Sequence, residues 1–200
     1  MTVLAERVAA ILQENGFIRE EDKELYIYGL QQGKSMILNV LTTIAIGIIF
    51  GQVWACILFM CAYFPLRSCA GGYHARTPLR CYLFSIMMVI AALAFMRLPV
   101  WNNVISSILV IVSSMVIMFL APVEDSNKPL DAKETIVFKK RSRVILCVLV
   151  GMILIFRVMG LLEISICIMI ALIMLSIMLV LGKLKNLSNK YMEDSEVTSQ

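Results

Sequence analysis

Residues 35–66 read SMILNVLTTIAIGIIFGQVWACILFMCAYFPL, 32 positions without one charged side chain. As a single helix this stretch would measure about 48 Å, well beyond a hydrocarbon core of about 30 Å. Gly51-Gln52 falls midway and reads as a turn. The stretch therefore predicts two membrane passes, near 36–50 and 53–66. Similar apolar runs follow at about 81–96, 104–121, 144–162 and 164–182. The whole chain is 60% hydrophobic with a mean hydropathy of +0.86, more apolar than soluble domains are. A transmembrane β-barrel would instead show short alternating strands. The expected fold is an all-α polytopic membrane protein, with about six transmembrane helices and an N-terminal amphipathic helical region.

Residues 1–34 carry six acids and four bases and lack an h-region, so they are not expected to be a signal peptide. Val3, Leu4, Val8, Ile11 and Leu12 recur at helical spacing, Asn15-Gly16 reads as a C-cap and turn, and a second short helix fits Glu20 to Gln32. These helices suit either a membrane interface or a cap on the bundle. Three regions are expected: N-terminal helices over 1–34, the transmembrane bundle over 35–182 and a polar, mobile tail over 183–200. Six spans place the N-terminal region, the 67–80 and 123–143 loops and the tail on one side, with 16 of the 18 Lys and Arg residues. That side is expected to be the cytoplasm. Arg97 and Arg157 lie on or toward the other face, and Arg157 and Glu163 there are expected to pair or snorkel.

The polar break after the second pass carries the chemistry. It holds the chain's one histidine, His74, and a cysteine seven residues on, Cys81. On one continuous helix the two would stand about 10.5 Å apart along the axis, too far for a base to take a thiol proton. The pair works only if the backbone breaks between them. Pro78 supplies the break, with Thr77 as N-cap and Pro78 as first helical residue. Cys81 would then lie in the first turn of the third span. The helix dipole, Arg76, Arg80 and His74 as base would all favour its thiolate. Gly71-Gly72 permit unusual dihedrals and close approach of a ligand, and Arg67 could grip a carboxylate through its fork.

The competing readings are plainer. Arg67, Arg76 and Arg80 could serve only the positive-inside rule or contact with anionic lipid. Cys69 is a rival nucleophile, without a proline or cap to place it at a helix start. Cys56, Cys61, Cys147 and Cys167 lie inside apolar runs and read as small hydrophobes. With one histidine and no CxxC pair, neither a metal nor a cofactor is expected. No acid lies within residues 67–81 to orient His74. Glu124 and Asp125, on the same side of the membrane, are candidates for that role, as is a backbone carbonyl.

These residues resemble the accessory gene regulator B (AgrB) family of membrane peptidases. The resemblance rests on Arg67, Ala70-Gly71-Gly72, His74-Ala75 and Cys81 after a six-residue gap. It rests also on Ala121-Pro-Val-Glu-Asp-Ser-Asn-Lys-Pro-Leu130, on Tyr28-Gly29 near the first span and on the six-span pattern. It implies a bacterial cell-membrane protein with both termini and the active site on the cytoplasmic side. Such proteins cut an AgrD-like propeptide that precedes a quorum-sensing signal. Carried over, Cys81 attacks a peptide bond, His74 acts as base and then acid, and the acidic C-terminal tail of the propeptide leaves. A side chain within the peptide captures the thioester and closes a thiolactone or lactone ring. Arg67 and Gly72 match positions important for the site, and Gly71, Arg76 and Arg80 would support substrate binding. The implied partners are the propeptide, the bilayer and a second copy of the chain in a homodimer; no nucleic acid is expected. The rivals are a small transporter exporting a signalling peptide, hinted at only by Arg157, and a noncatalytic protein whose loop binds lipid.

Overall fold

A computed structural model describes residues 3–73, 77–124 and 131–198. They form seven α-helices: α1 (Val3–Glu14), α2 (Lys23–Ile49), α3 (Val53–Ala70), α4 (Pro78–Met96), α5 (Asn103–Leu120), α6 (Ala132–Val158) and α7 (Leu162–Thr198). The fold is all-α, and among the described residues the one β-type contact is an isolated parallel bridge between Gly71 and Val123. Contacts divide the chain into two units, residues 1–45 and 46–200. The first holds α1, a 3-10 turn at Glu20–Asp22 and most of α2. The second holds the rest.

Among the described residues, five helices are long and apolar enough to cross a membrane: those containing residues 20–49, 53–70, 79–96, 103–120 and 162–189. The expected break within 35–66 occurs, with α2 ending at Ile49 and α3 starting at Val53. Gly51 makes the turn with φ +64°, and the Gly51 and Gln52 amides close onto the Ile48 and Gly47 carbonyls. Arg97, at the end of α4, donates to the Phe50 carbonyl at 2.6 Å and ties this turn to the α4–α5 loop.

Two helices run further than their sequence suggests. The short helix expected over 20–32 continues unbroken into the first apolar run as α2, because no proline or cap separates Gln32 from Ser35. Likewise α7 carries on through the polar tail to Thr198. The loop expected over 123–143 is shorter than foreseen, since Asp131 and Glu134 form a capping box that starts α6 at Ala132. In α6, Arg143 and Arg157 leave only 13 uncharged residues between them, about 20 Å of helix. Arg157 donates to Ser107 of α5 at 2.9 Å and to Ser165 of α7 at 3.3 Å, so two neighbouring hydroxyls satisfy its guanidinium. The expected pairing with Glu163 is replaced by these serines.

The core of the second unit is built around α7. It packs against α3, α4, α5 and α6. Within its membrane-length window 61% is buried, against 33, 17 and 22% for α3, α4 and α5. A helix that is apolar all round belongs in the centre of a bundle. Met169, Leu172, Leu175 and Leu179 are fully enclosed. The outer helices keep large apolar side chains such as Leu83, Met87, Ile108 and Phe119 exposed, as a lipid-facing surface requires.

Candidate active site

The site end of the bundle begins where α3 stops. Ala70 is fully buried, and Gly71 turns the chain with φ +71°. There the backbone meets the segment after α5: the Val123 amide donates to the Ala70 carbonyl at 2.9 Å. A Cβ on Gly71 would run into the Val123 carbonyl oxygen. Gly72 follows with φ +127°, and a Cβ there would strike the Arg67 guanidinium. Both positions demand glycine, for backbone angle and for space.

Arg67 sits in the last turn of α3 and folds its fork back over this loop. One amino group donates to the Gly71 carbonyl, the other to the Tyr73 carbonyl at 2.7 Å. The sequence suggested a substrate carboxylate for this residue, whereas the geometry shows it organising its own backbone. A planar guanidinium can satisfy two carbonyls at once, which an ammonium cannot do in the same fixed geometry.

The third wall comes from α7. The Tyr73 amide donates to the Met178 carbonyl at 3.0 Å. A Cβ on Gly182 would lie 2.8 Å from both the Gly72 carbonyl carbon and the Tyr73 nitrogen, so this glycine lets the loop rest directly on the helix. One turn on, the Asn186 amide donates to the Glu124 carbonyl at 2.8 Å. The Tyr73 ring packs on Phe84 of α4 at 5.3 Å, with the Lys185 ammonium 5.6 Å from its centroid. Thus the two segments that carry the family resemblance, 70–73 and 121–124, lie side by side and are clamped by residues 178–186.

Helix α4 starts as its sequence predicts. Thr77 has an extended backbone, and its hydroxyl accepts from the Arg80 amide at 3.4 Å. Pro78 is the first helical residue. The Cys81 amide closes the first helical bond onto the Thr77 carbonyl at 3.1 Å. Cys81 is half-buried. Its Cβ, like every helical Cβ, tilts toward the helix start. Tyr63, one turn before Arg67 on α3, lies within electrostatic reach of both Arg67 and Cys81. Arg80 is exposed in the same first turn, where a cation opposes the helix dipole, so its charge does not serve the stability of α4.

The other expected residues fall as follows. Cys69 lies in the last turn of α3, at the opposite helix polarity from Cys81. Glu124 is exposed beside the Val123–Gly71 bridge. His74, Arg76 and Asp125 lie outside the described residues. No cluster of three or more metal-binding side chains occurs among the described residues. Sequence reasoning did not single out Tyr63, Tyr73, Met178, Gly182, Lys185 or Asn186. Gly182 alone left a local trace, as a glycine just before Lys183 where the apolar run ends.

The chain matches the family Accessory gene regulator B over residues 5–179. That is most of its 200 residues, and the chain belongs to this family. Comparison with curated proteins and with solved structures returns no match. The family implies a role in the processing of a quorum-sensing peptide, with a propeptide as substrate.

Proposed function

With that membership as premise, we propose that the protein is a cysteine endopeptidase that cleaves and cyclises a propeptide at the cytoplasmic face of a bacterial membrane. The observation that carries the reading is the break between Ala70 and Pro78, which ends one helix and starts another with Cys81 in its first turn.

The Cys81 thiolate attacks the carbonyl carbon of the scissile peptide bond, and His74 holds the thiol proton. The C–N bond breaks, His74 returns the proton to the departing amine, and the acidic tail leaves as a free peptide. A thiol or hydroxyl within the bound peptide then attacks the thioester. His74 takes its proton, the ring closes and Cys81 departs with that proton. Thiol attack exchanges one thioester for another and is nearly thermoneutral, whereas hydrolysis runs strongly downhill. The site must therefore hold the peptide folded back and keep water away. Arg67, Gly71 and Gly72 shape the loop that does this. Arg76 and Arg80 offer positive charge to the acidic leaving tail. Glu124 or Asp125 could orient the imidazole from the adjoining segment.

Orientation follows from charge. By sequence, 16 of the 18 basic residues fall in the N-terminal region, the 67–80 and 123–143 segments and the tail, the excess that a cytoplasmic face would carry. Arg157, the one hint of a transport path, already serves two serines, which favours the peptidase over the exporter. The test is direct. Cys81→Ser, His74→Ala and the parent chain, in liposomes, are incubated with a candidate propeptide, and release of its C-terminal tail is followed by mass spectrometry. Loss of release in both variants, with insertion intact, is the expected result; undiminished cleavage in both sinks the reading.

A further inference from the structure

Tyr73, the residue just before His74, is held at four points. Its amide is bound to Met178 of α7 and its carbonyl to Arg67 of α3. Its ring packs on Phe84 of α4, the two ring planes inclined by 43°, and Lys185 of α7 lies over the ring face. The two backbone ties reach α3 and α7. Of the four contacts only the ring reaches α4, the helix that carries Cys81. Phe84 stands three residues after Cys81 and so shares its face of α4. The contact is possible because Gly182 has no side chain where the Gly72–Tyr73 backbone lies against α7.

We propose that Tyr73 is the positioning residue of this site: its ring, in contact with Phe84 and Lys185, sets the register between the 71–73 segment that leads to His74 and the helix that carries Cys81. The proposal rests on the His74–Cys81 reading. A base must come within about 2.6–3.2 Å of the proton that it takes, and a misplacement of about 1 Å costs on the order of a hundredfold in rate. The four contacts use the backbone and the ring, and none uses the phenol oxygen. Phenylalanine should therefore replace Tyr73, while alanine should not. A residue that touched substrate would behave otherwise, since its loss would weaken binding.

The experiment uses the full chain in liposomes with the propeptide. Tail release gives kcat and KM, and mass spectrometry of the Cys81 peptide gives its alkylation rate by iodoacetamide. Tyr73→Phe should keep kcat within about twofold, whereas Tyr73→Ala should lose about 10- to 100-fold with KM little changed. In Tyr73→Ala the alkylation of Cys81 should slow to the rate seen in His74→Ala. Phe84→Leu, which keeps apolar bulk but removes the ring partner, should move both readouts the same way and decides the matter if Tyr73→Ala fails to insert. Parental kcat in Tyr73→Ala or Phe84→Leu, alongside a dead His74→Ala, overturns the positioning role and leaves the peptidase reading standing. A raised KM with unchanged kcat overturns it too, by making Tyr73 a substrate contact. Parental activity in His74→Ala overturns the underlying reading instead.

Discussion

A glycine and an arginine that hold one loop from two different helices show how differently such residues can be read. Arg67 was visible in the sequence because it stands in a motif, but its partners are carbonyls of residues 71 and 73, which no spacing rule announces. Replacing Arg67 by Lys keeps the charge and loses the fork. The expected outcome is at least a tenfold fall in propeptide cleavage, about 1.4 kcal/mol of barrier, with the chain still inserted. Cleavage at the parental rate would mean that charge alone matters. Gly182 left only a faint local trace, because its reason lies 110 positions away, at Gly72. An added methyl must push against loop backbone, which costs about 1–3 kcal/mol where nothing can yield. Gly151, in α6, has open space around its Cα and serves as the control. Gly182→Ala should therefore impair processing in a liposome assay while Gly151→Ala leaves it intact; equal activity of the two would remove the close approach from the argument.

At the scale of the element, local signals were legible and distant ones were not. Thr77 and Pro78 start α4 because a hydroxyl acceptor and a fixed φ act within one turn, and the sequence contains both. Gly51 makes the turn between α2 and α3 for an equally local reason. The unbroken run of α2 from Lys23 and of α7 to Thr198 was harder to foresee, since polar composition suggested separate pieces where nothing breaks the helix. The cap is the part with a chemical consequence, because it decides which turn holds Cys81. Thr77→Ala should destabilise the first turn of α4 by about 1 kcal/mol, and Thr77→Ser should retain it. Hydrogen exchange of the Arg80 and Cys81 amides should speed up in the alanine variant alone, with slower propeptide cleavage. Unchanged exchange would show that Pro78 suffices to set the helix start.

For the whole molecule, hydropathy alone identified a polytopic bundle but could not say which apolar helix lies at its centre. A membrane span looks the same from its composition whether lipid or protein surrounds it. The burial of α7 settles this, and it gives the helix a second task. The post that organises α3, α4, α5 and α6 also extends past the apolar run to present Lys185 to Tyr73 and Asn186 to Glu124. Residues that read as a polar tail are thus part of the wall behind the loop. Two truncations separate these roles. Removing residues 192–200 leaves every contact named above in place and should not alter processing. Removing residues 183–200 keeps the span that ends near Gly182 but takes away Lys185 and Asn186. That shorter chain should insert normally and cleave propeptide several-fold more slowly, because the Tyr73 and Glu124 segments lose their supports on α7. Equal cleavage by both truncated chains, measured at matched protein density in liposomes, would confine the role of α7 to the span itself.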